Sequence, residues 1–584
     1  SGLPLTLRGY TFADLGLTHV DVTNDQCRVL AGVRGEKFGF DWESALVYSE
    51  ATADDTSDNI SNTKLYAQLA LSTPDAYNVF NGSDINNPSG ADTTRNSEAA
   101  IDAIRVKIKR RTKSTLASWD FKVSKPDLFS LPGGDVGMAS GVEVRRETQL
   151  DDRDKRIDGT ITFTDPISGV VLSDLINSSM NPDTKGHRSV ASTYIEFAVP
   201  LVSPEMSIPL VHRLDLQLAG RYEHYSDFGS TAKPKIAGAW DLFDGFRIRG
   251  SWAKGFRAPN LEQINATVVS RSNNRTDYAF CEADLRAKRI TSFAGCSRSL
   301  LTTARRAGNP DLDPEESETL SYGVVLEPKF IPSEYGRLTF TVDYWKVKQT
   351  GLIGVFGEGN AMILDYLLRQ SGSSNPNVVR AAPTADDIAA FAGTGLAAAG
   401  QVLYVNDKYT NLQPQDVEGL DLGLIYRLST DKLGDFDFNV NAAHLIKYYQ
   451  SPSPGIAELL AARAAGKINA GTTINGGGNL LKQNGKTDWK ISAALTWRYK
   501  QLTVGGFTQY IGDYNDTALL DSAGSPWVVD SQITANLYGE YDFANANTKL
   551  RLGVRNITDK DPPLSSAGYD GTVYLPYARY WYVS

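Results

Sequence analysis

Alternation of apolar and polar residues is the dominant pattern along this 584-residue chain. Between 435 and 446, Phe436, Phe438, Val440, Ala442 and Ile446 fall on one side, opposite Asp435, Asp437, Asn439 and Asn441. In 489–499, Trp489, Ile491, Ala493, Leu495, Trp497 and Tyr499 alternate with Lys490, Ser492, Thr496 and Arg498. In 213–223, Leu214, Leu216, Leu218 and Tyr222 alternate with Arg213, Asp215, Gln217, Arg221 and Glu223. A period of two puts successive side chains on opposite faces of a strand, so each segment reads as a strand with one apolar and one polar face. Strands are predicted near 26–34, 37–51, 115–124, 135–148, 190–199, 211–226, 231–241, 246–254, 317–327, 335–350, 415–427, 434–449, 487–499, 501–513, 527–543, 546–556 and 576–584. One more is expected within 3–19, for about eighteen.

A soluble sandwich also alternates, but two features point elsewhere. Aromatic residues sit near strand ends (Tyr222, Trp252, Tyr344, Trp489, Trp497, Tyr499), where lipid headgroups would lie. The connections also alternate in length: long at 52–114, 149–189, 255–316, 351–414 and 450–486, short at 125–134, 200–210, 242–245, 328–334 and 428–433. Only the tight turn at 227–230 stands where a long connection is due. A transmembrane barrel collects its long extracellular loops at one end and its short periplasmic turns at the other. The expected fold is therefore all-β, a transmembrane antiparallel barrel. Strands longer than the nine to eleven residues that cross a bilayer should project beyond it on the loop side.

Composition narrows this further. With 41% hydrophobic residues and a mean hydropathy of −0.29, the chain is no bundle of membrane helices. No stretch approaches the 18 or so apolar residues of a spanning helix; 388–400 is short, Ala/Gly-rich and interrupted by Thr394. The 27 tyrosines, against 5 histidines and 3 cysteines, suit aromatic girdles and polar loops. A net charge of −9 argues against a nucleic-acid partner, and the basic run 107–111 (KIKRR) reads as a solvated loop face. Residues 1–7 have neither a basic n-region nor an apolar h-region, so a secretion signal is expected to have preceded them.

Three segments carry a family resemblance. Residues 254–261 (KGFRAPNL, with Gly255, Phe256, Arg257, Ala258 and Pro259) resemble the "GFRAP-x-L" that opens a large extracellular loop in TonB-dependent receptors of the proteobacterial type. Residues 309–317 (NPDLDPEES, with Asn309, Pro310, Pro314 and Glu315) resemble the "NPxLxPExS" that closes it. Residues 553–563 (GVRNITDKDPP, with Asn556, Asp559 and Pro562) resemble the family's penultimate strand, with Ile557 where Leu is usual. The run 131–147 also looks like this group's strand before a long loop. The similarity spans the whole chain, so 1–584 is taken as one barrel domain.

The resemblance implies a 22-stranded barrel in the outer membrane of a Gram-negative bacterium, with an N-terminal plug and a TonB box. Nothing here resembles either, and counting back from the last strand leaves the plug and about four strands unaccounted for. The chain ends on Ser584 rather than an aromatic residue, and has Ala578–Arg579 where a Gly-Arg pair is usual. It is therefore expected to be part of a longer protein rather than a natural plugless pore.

No catalytic constellation is evident, and neither enzyme activity nor a cofactor is expected. The histidines are scattered (His19, His187, His212, His224, His444), and His444 suits a girdle position. Gly393, Gly395 and Gly400 fail a dinucleotide spacing. Asp54, Asp55 and Asp58, or Asp151, Asp152 and Asp154, are read as solvated acidic loops rather than cation sites. Cys281 and Cys296 share the loop 255–316 and are expected to form a disulfide on the oxidising export route, leaving Cys27 odd on a strand. Lumen-facing Arg213, Arg221, Arg247 and Arg249 form a basic wall that either guides an anionic ligand or, the preferred reading, belongs to a structural network with acidic partners.

The resemblance implies energy-coupled import of a scarce nutrient such as a siderophore or a glycan. Its expected partners are TonB with ExbB and ExbD through the plug region, the lipid bilayer and lipopolysaccharide, and a small nutrient ligand. The alternative is a surface binding or scaffold barrel (adhesin, phage receptor or assembly partner) engaging a surface partner protein. A passive porin fits least.

Overall fold

The computed structural model describes the chain except residues 1–9, 11, 17–18, 81–94, 167–168, 170, 267, 293–295, 469–471, 473, 521–524, 544–547 and 567. Seventeen principal strands form one antiparallel meander, each paired with the next. They are β1 (Val20–Lys37), β2 (Phe40–Ile60), β3 (Arg105–Leu131), β4 (Gly134–Asp152), β5 (Thr184–Val202), β6 (Arg213–Tyr225), β7 (Gly229–Phe243), β8 (Phe246–Arg257) and β9 (Glu315–Leu326). The rest are β10 (Arg337–Thr350), β11 (Gln415–Thr430), β12 (Gly434–Gln450), β13 (Trp489–Tyr499), β14 (Leu502–Ile511), β15 (Gln532–Phe543), β16 (Thr548–Arg555) and β17 (Tyr580–Val583). The eighteenth strand of the sheet is Gly478–Asn479, a two-residue piece on the outer end of β12. All seventeen segments predicted from alternation correspond to strands.

Several expectations need correction. The strand expected within 3–19 falls largely outside the described residues; the described Ala13–Leu15 is a 3-10 turn, with neighbouring Phe12 packed near Tyr77. The segment 527–543 divides, because Pro526–Val529 pairs with Tyr514–Leu520 in a loop hairpin and only Gln532–Phe543 joins the barrel. The basic run 107–111 lies in β3, not in a loop: Val106 and Ile108 turn inward and are buried, while Lys107, Lys109 and Arg111 stand outward. Asp54, Asp55 and Asp58 likewise belong to β2 and Asp151 and Asp152 to β4, and only Asp154 lies in a loop. These strands run 21, 27 and 19 residues, well past the span of a bilayer.

Because successive strands reverse, the connections form two sets. The inner set, at 38–39, 132–133, 203–212, 244–245, 327–336, 431–433 and 500–501, is short throughout. At 38–39 both Phe38 (φ 57°) and Gly39 (φ 73°) adopt the left-handed conformation that a two-residue hairpin turn with the native twist needs. The outer set holds every long connection, and only 226–228 is tight.

Register builds the apolar band. Ile248, Val324, Val342, Leu422, Ala442, Ile491, Tyr510 and Ile533 are successive cross-strand partners, forming one outward row from β8 to β15. Trp240 donates to the Leu210 carbonyl (2.9 Å) and Trp497 to that of Leu433 (2.7 Å) at the inner rim, while Trp489 stacks on His444 at 4.2 Å at the outer one. The two inner-rim indoles have an apolar body and a satisfied polar tip, as a membrane interface requires.

The opposite face points into the lumen and carries a recurring joint. Tyr194 lies over its cross-strand partner Gly141, Trp345 over Gly419, Tyr538 over Gly505 and Tyr582 over Gly553. A Cβ at Gly141 would stand 2.6 Å from the Tyr194 ring. Each ring covers backbone that glycine leaves bare.

The most compact buried packing lies in the outer loops rather than the barrel. Helices α1 (Tyr278–Arg286), α2 (Glu358–Arg369), α3 (Ala385–Phe391) and α4 (Pro454–Ala464) come from three connections. Three of them have local reasons to start where they do: Asp277 caps α1, Thr384 and Asp387 form a capping box on α3, and Ser453 with Pro454 opens α4. Phe280 packs on Phe391 between α1 and α3, and Ile363 and Tyr366 of α2 pack with Leu459 of α4. Strands Val269–Thr276 and Ser299–Arg306 join Val402–Asn406 and Val378–Arg380 in one four-stranded sheet. The loops 258–314, 351–414 and 451–488 thus make a single cap.

Candidate functional site in the lumen wall beneath the cap

Alternation in β4 sends Glu143, Arg145 and Glu147 inward, and the ladder sets Ser192 beside Glu143 and Arg188 beside Glu147. On the next strand, Ser192 faces Glu223. Arg145 donates to Glu147 (2.8 Å), Glu143 (3.2 Å) and the Tyr225 hydroxyl (3.0 Å). Arg221 pairs with Glu223 and donates to Ser192 (2.9 Å) and Glu143 (3.3 Å). Arg188, 3% exposed, lies 3.3 Å from Asp227 and 3.7 Å from Glu147, and donates to the Pro259 carbonyl. The guanidinium groups of Arg145 and Arg188 stand over the Tyr225 ring at 5.7 and 5.8 Å. Arg145, Glu147, Arg188 and Tyr225 line a recess of about 650 Å³ that opens into the lumen and is roofed by Ala258, Pro259, Asn260 and Leu261. It joins cations and carboxylates around an aromatic face, a setting that presents both donors and acceptors to a polar ligand.

The four arginines singled out from sequence do not form one wall. Arg213 and Arg247 flank Asp241 in register; Arg247 grips it through two bonds (2.6 and 2.9 Å), and Arg213 turns to Asp215 (2.7 Å). Arg249 reaches across β9 to Asp343 (2.8 Å), over Gly323, where a Cβ would collide with that carboxylate. Arg221 sits apart, in the outer cluster with Arg145 and Arg188. Every one of the four faces a carboxylate of the same sheet.

Sequence reading did not single out Arg145, Arg188 or Tyr225. A usable signal was present in Glu143, Arg145 and Glu147, which alternate on the face opposite Val142 and Val144.

The first two motifs are one structural unit. Arg257 and Glu315, at the two ends of a long loop, are ladder partners and form an ion pair, and Glu315 also accepts the Ile353 amide (2.8 Å) from the next loop. Glu315 is 4% exposed. Asn309 donates to the Tyr409 carbonyl (2.9 Å) and accepts the Asp311 amide (3.0 Å), tying the loops 258–314 and 351–414 together. Pro259 holds the other side through Arg188. Pro310 and Pro314 flank Leu312, which is buried at 3% exposure.

Above this root, Arg380 binds Asp277 (2.6 and 3.0 Å) and Asp365 (2.9 Å) inside the cap. Burial opposes its charge, but the two carboxylates more than offset that and keep the guanidinium protonated. Arg306 pairs with Asp407 (3.1 Å), whose carboxyl burial pushes above its usual range. Arg298 and Arg289 hold the Asp284 carboxyl below its usual range, burial opposing them. Cys281 and Cys296 are bonded to each other, with Cα atoms 5.5 Å apart, and Cys27 is a free, exposed thiol on β1.

The third motif organises the last outer loop. Asn556, 6% exposed with φ 48°, donates to the Lys560 and Tyr577 carbonyls (2.9 and 2.8 Å) and accepts the Lys560 amide (2.9 Å). Asp559 accepts the Arg579 amide (2.7 Å), and Pro562 follows in the same loop. Asn556→Ala removes three bonds made by a buried side-chain amide, so it should cost about 1–3 kcal/mol. The expected readout is faster tryptic cleavage at Lys560; unchanged cleavage there would contradict the role given to Asn556.

A family model described as TonB dependent receptor-like, beta-barrel matches residues 3–557. The crystal structure of the siderophore receptor PirA from Acinetobacter baumannii aligns with TM-score 0.54 at 16% identity, over 96% of this chain and 62% of that one. A mutant of the ferric enterobactin receptor PfeA from Pseudomonas aeruginosa aligns with TM-score 0.52 at 15% identity, over 96% of this chain and 61% of its own. The iron-regulated outer membrane virulence protein of Vibrio cholerae serotype O1 is 26% identical over 135 residues, 22% of this chain and 21% of that protein. The chain thus spans about three fifths of these structural neighbours, and at such identities the likeness concerns the fold.

Proposed function

Since the chain belongs to the TonB-dependent receptor β-barrel family and lies in the bacterial outer membrane, we propose that it is the barrel of a receptor importing a scarce nutrient, with a ferric siderophore as the first class to test. The observation that carries this reading is the way the outer loops are seated. Arg257 with Glu315, Asn309 with Tyr409, and Arg188 with Pro259 anchor the cap to the rim directly above a charged, aromatic-backed recess in the lumen wall. A ligand captured under the cap would meet Arg145, Arg188 and Tyr225 next, and preformed polar groups of this kind fix orientation with little ordering cost. The structural neighbours named above are siderophore receptors and the Vibrio protein is iron-regulated, which favours iron as cargo.

In this reading TonB, energised through ExbB and ExbD, supplies the work of release. Deleting the whole gene should abolish uptake of one labelled ferric siderophore, glycan or cobalamin, and a protonophore should do the same in wild-type cells. A deletion strain that imports every labelled compound at the wild-type rate would overturn the proposal and favour a surface-binding role.

A further inference from the structure

The recess under the cap is balanced in charge, and the part of its wall left free for a ligand is uncharged. Register lays the inward side chains out in rows. The upper row runs Gln26, Ala51, Ser114 and Gln149 from β1 to β4. The row below it runs Arg28, Ser49, Leu116, Glu147 and Arg188 from β1 to β5. Neighbouring strands lie about 4.8 Å apart, so β1 to β4 spans roughly 14 Å of wall. In these rows Arg28 is the one charge before Glu147 is reached. Among the described residues, the side chains of Gln26, Ser49, Ser114 and Gln149 hydrogen-bond to no other group, so amides and hydroxyls face the lumen unused.

The arginines at the β4–β6 end are already committed to protein partners. Arg145 directs its three nitrogens at Glu147, Glu143 and the Tyr225 hydroxyl. Arg221 is held by Glu223, Glu143 and Ser192, and Arg188 by Asp227, Glu147 and the Pro259 carbonyl. Arg28, Arg145, Arg188 and Arg221 thus stand against Glu143, Glu147, Glu223 and Asp227, four charges of each sign. The Glu143 and Glu147 side chains remain 30% and 34% exposed, so an entering anion would meet carboxylate as readily as guanidinium.

Resting on the iron-import reading above, we propose that this wall selects an electroneutral ferric chelate, in which three hydroxamates balance iron(III), over a trianionic tris-catecholate. A hydroxamate chelate of this kind presents amide N–H and C=O groups beside methylenes. The polar groups match Gln26, Ser114 and Gln149, and the methylenes match Ala51 and Leu116. A trianion gains no net attraction from a balanced wall, yet gives up part of its hydration to reach it.

The test measures binding to the full-length receptor by tryptophan fluorescence quenching, with ferrichrome as the neutral chelate and ferric enterobactin as the trianion. Ferrichrome should bind at least about tenfold more tightly. Ser114→Ala combined with Gln149→Ala should weaken ferrichrome about tenfold, because each change removes one hydrogen-bonding group from the wall. Gln26→Lys adds a cation to the uncharged row, so it should tighten ferric enterobactin about tenfold and leave ferrichrome within about threefold. Ferric enterobactin bound as tightly as ferrichrome, or a double alanine variant that binds ferrichrome like wild type, would overturn the proposal and leave iron import standing. If neither chelate binds or enters cells, the iron-import reading falls and this inference falls with it. Heat-modifiable gel mobility checks folding, and Gln26→Lys, which removes no hydrogen bond within the protein, keeps the test decisive if the double variant misfolds.

Discussion

Replacing Arg380 with methionine is expected to loosen the whole cap while leaving the barrel assembled. Arg380 and its partners Asp277 and Asp365 are all 5% exposed or less, and the arginine also donates to the Gly400 carbonyl (3.0 Å). Removing one member of a buried charge group leaves the others without compensation, which typically costs about 3–5 kcal/mol. Here Asp277 would lose its ion-pair partner, while Asp365 would keep Arg369 (2.9 Å). Asp277 also caps α1, and Asp365 accepts the Asn375 amide (3.0 Å), so the damage would reach both loops. Limited proteolysis should therefore cut 258–314 and 351–414 in R380M at enzyme concentrations that leave wild type intact. Adding Asp277→Asn should recover much of the resistance, because the uncompensated charge is then gone. A cap in R380M as resistant as wild type would show that the network contributes little.

The second large effect is expected at Arg188. Its side chain is 4% exposed and bridges Asp227, Glu147 and the Pro259 carbonyl. Glu147 keeps Arg145, and Asp227, left without its cation, is 16% exposed, so water screens the stranded carboxylate in part and Arg188→Met should cost about 2–3 kcal/mol. The loss should appear as an earlier urea midpoint for the barrel. If the recess serves import, ligand affinity should fall by at least about tenfold, because Pro259 loses its anchor and Tyr225 loses one of the two cations above it. Asp227→Asn in the same background should restore part of the stability without restoring affinity. An R188M protein with unaltered midpoint and affinity would remove this residue from both roles.

The barrel was legible because a strand between lipid and lumen must alternate, and the alternation is local. Phe436, Phe438 and Val440 announce their face within five residues. Legibility failed where chemistry interrupts the period. In β3, Arg110 occupies an inward position because it pairs with Asp151 on the neighbouring strand, and the run of cations then resembles a loop. At 526–543, Asp530 and Ser531 separate a loop hairpin from a barrel strand, and nothing short-range marks the change of partner. The cap was the least legible part. Arg380 and Asp277 lie 103 positions apart, and only the folded loops bring them together. Arg257 and Glu315 were readable as motif residues, but their contact was not, since it follows from the pairing of β8 with β9.

The rings seated over lumen glycines bear on how such a sheet assembles. They occur at four separate seams, β4–β5, β10–β11, β14–β15 and β16–β17. A one-residue slip at any of them would swing the ring to the lipid side and drive a side chain into the place it had occupied. Each seam therefore carries its own keyed lock, open only in the correct alignment. Errors made while strands zip together can be rejected locally, seam by seam, before the next strand is added.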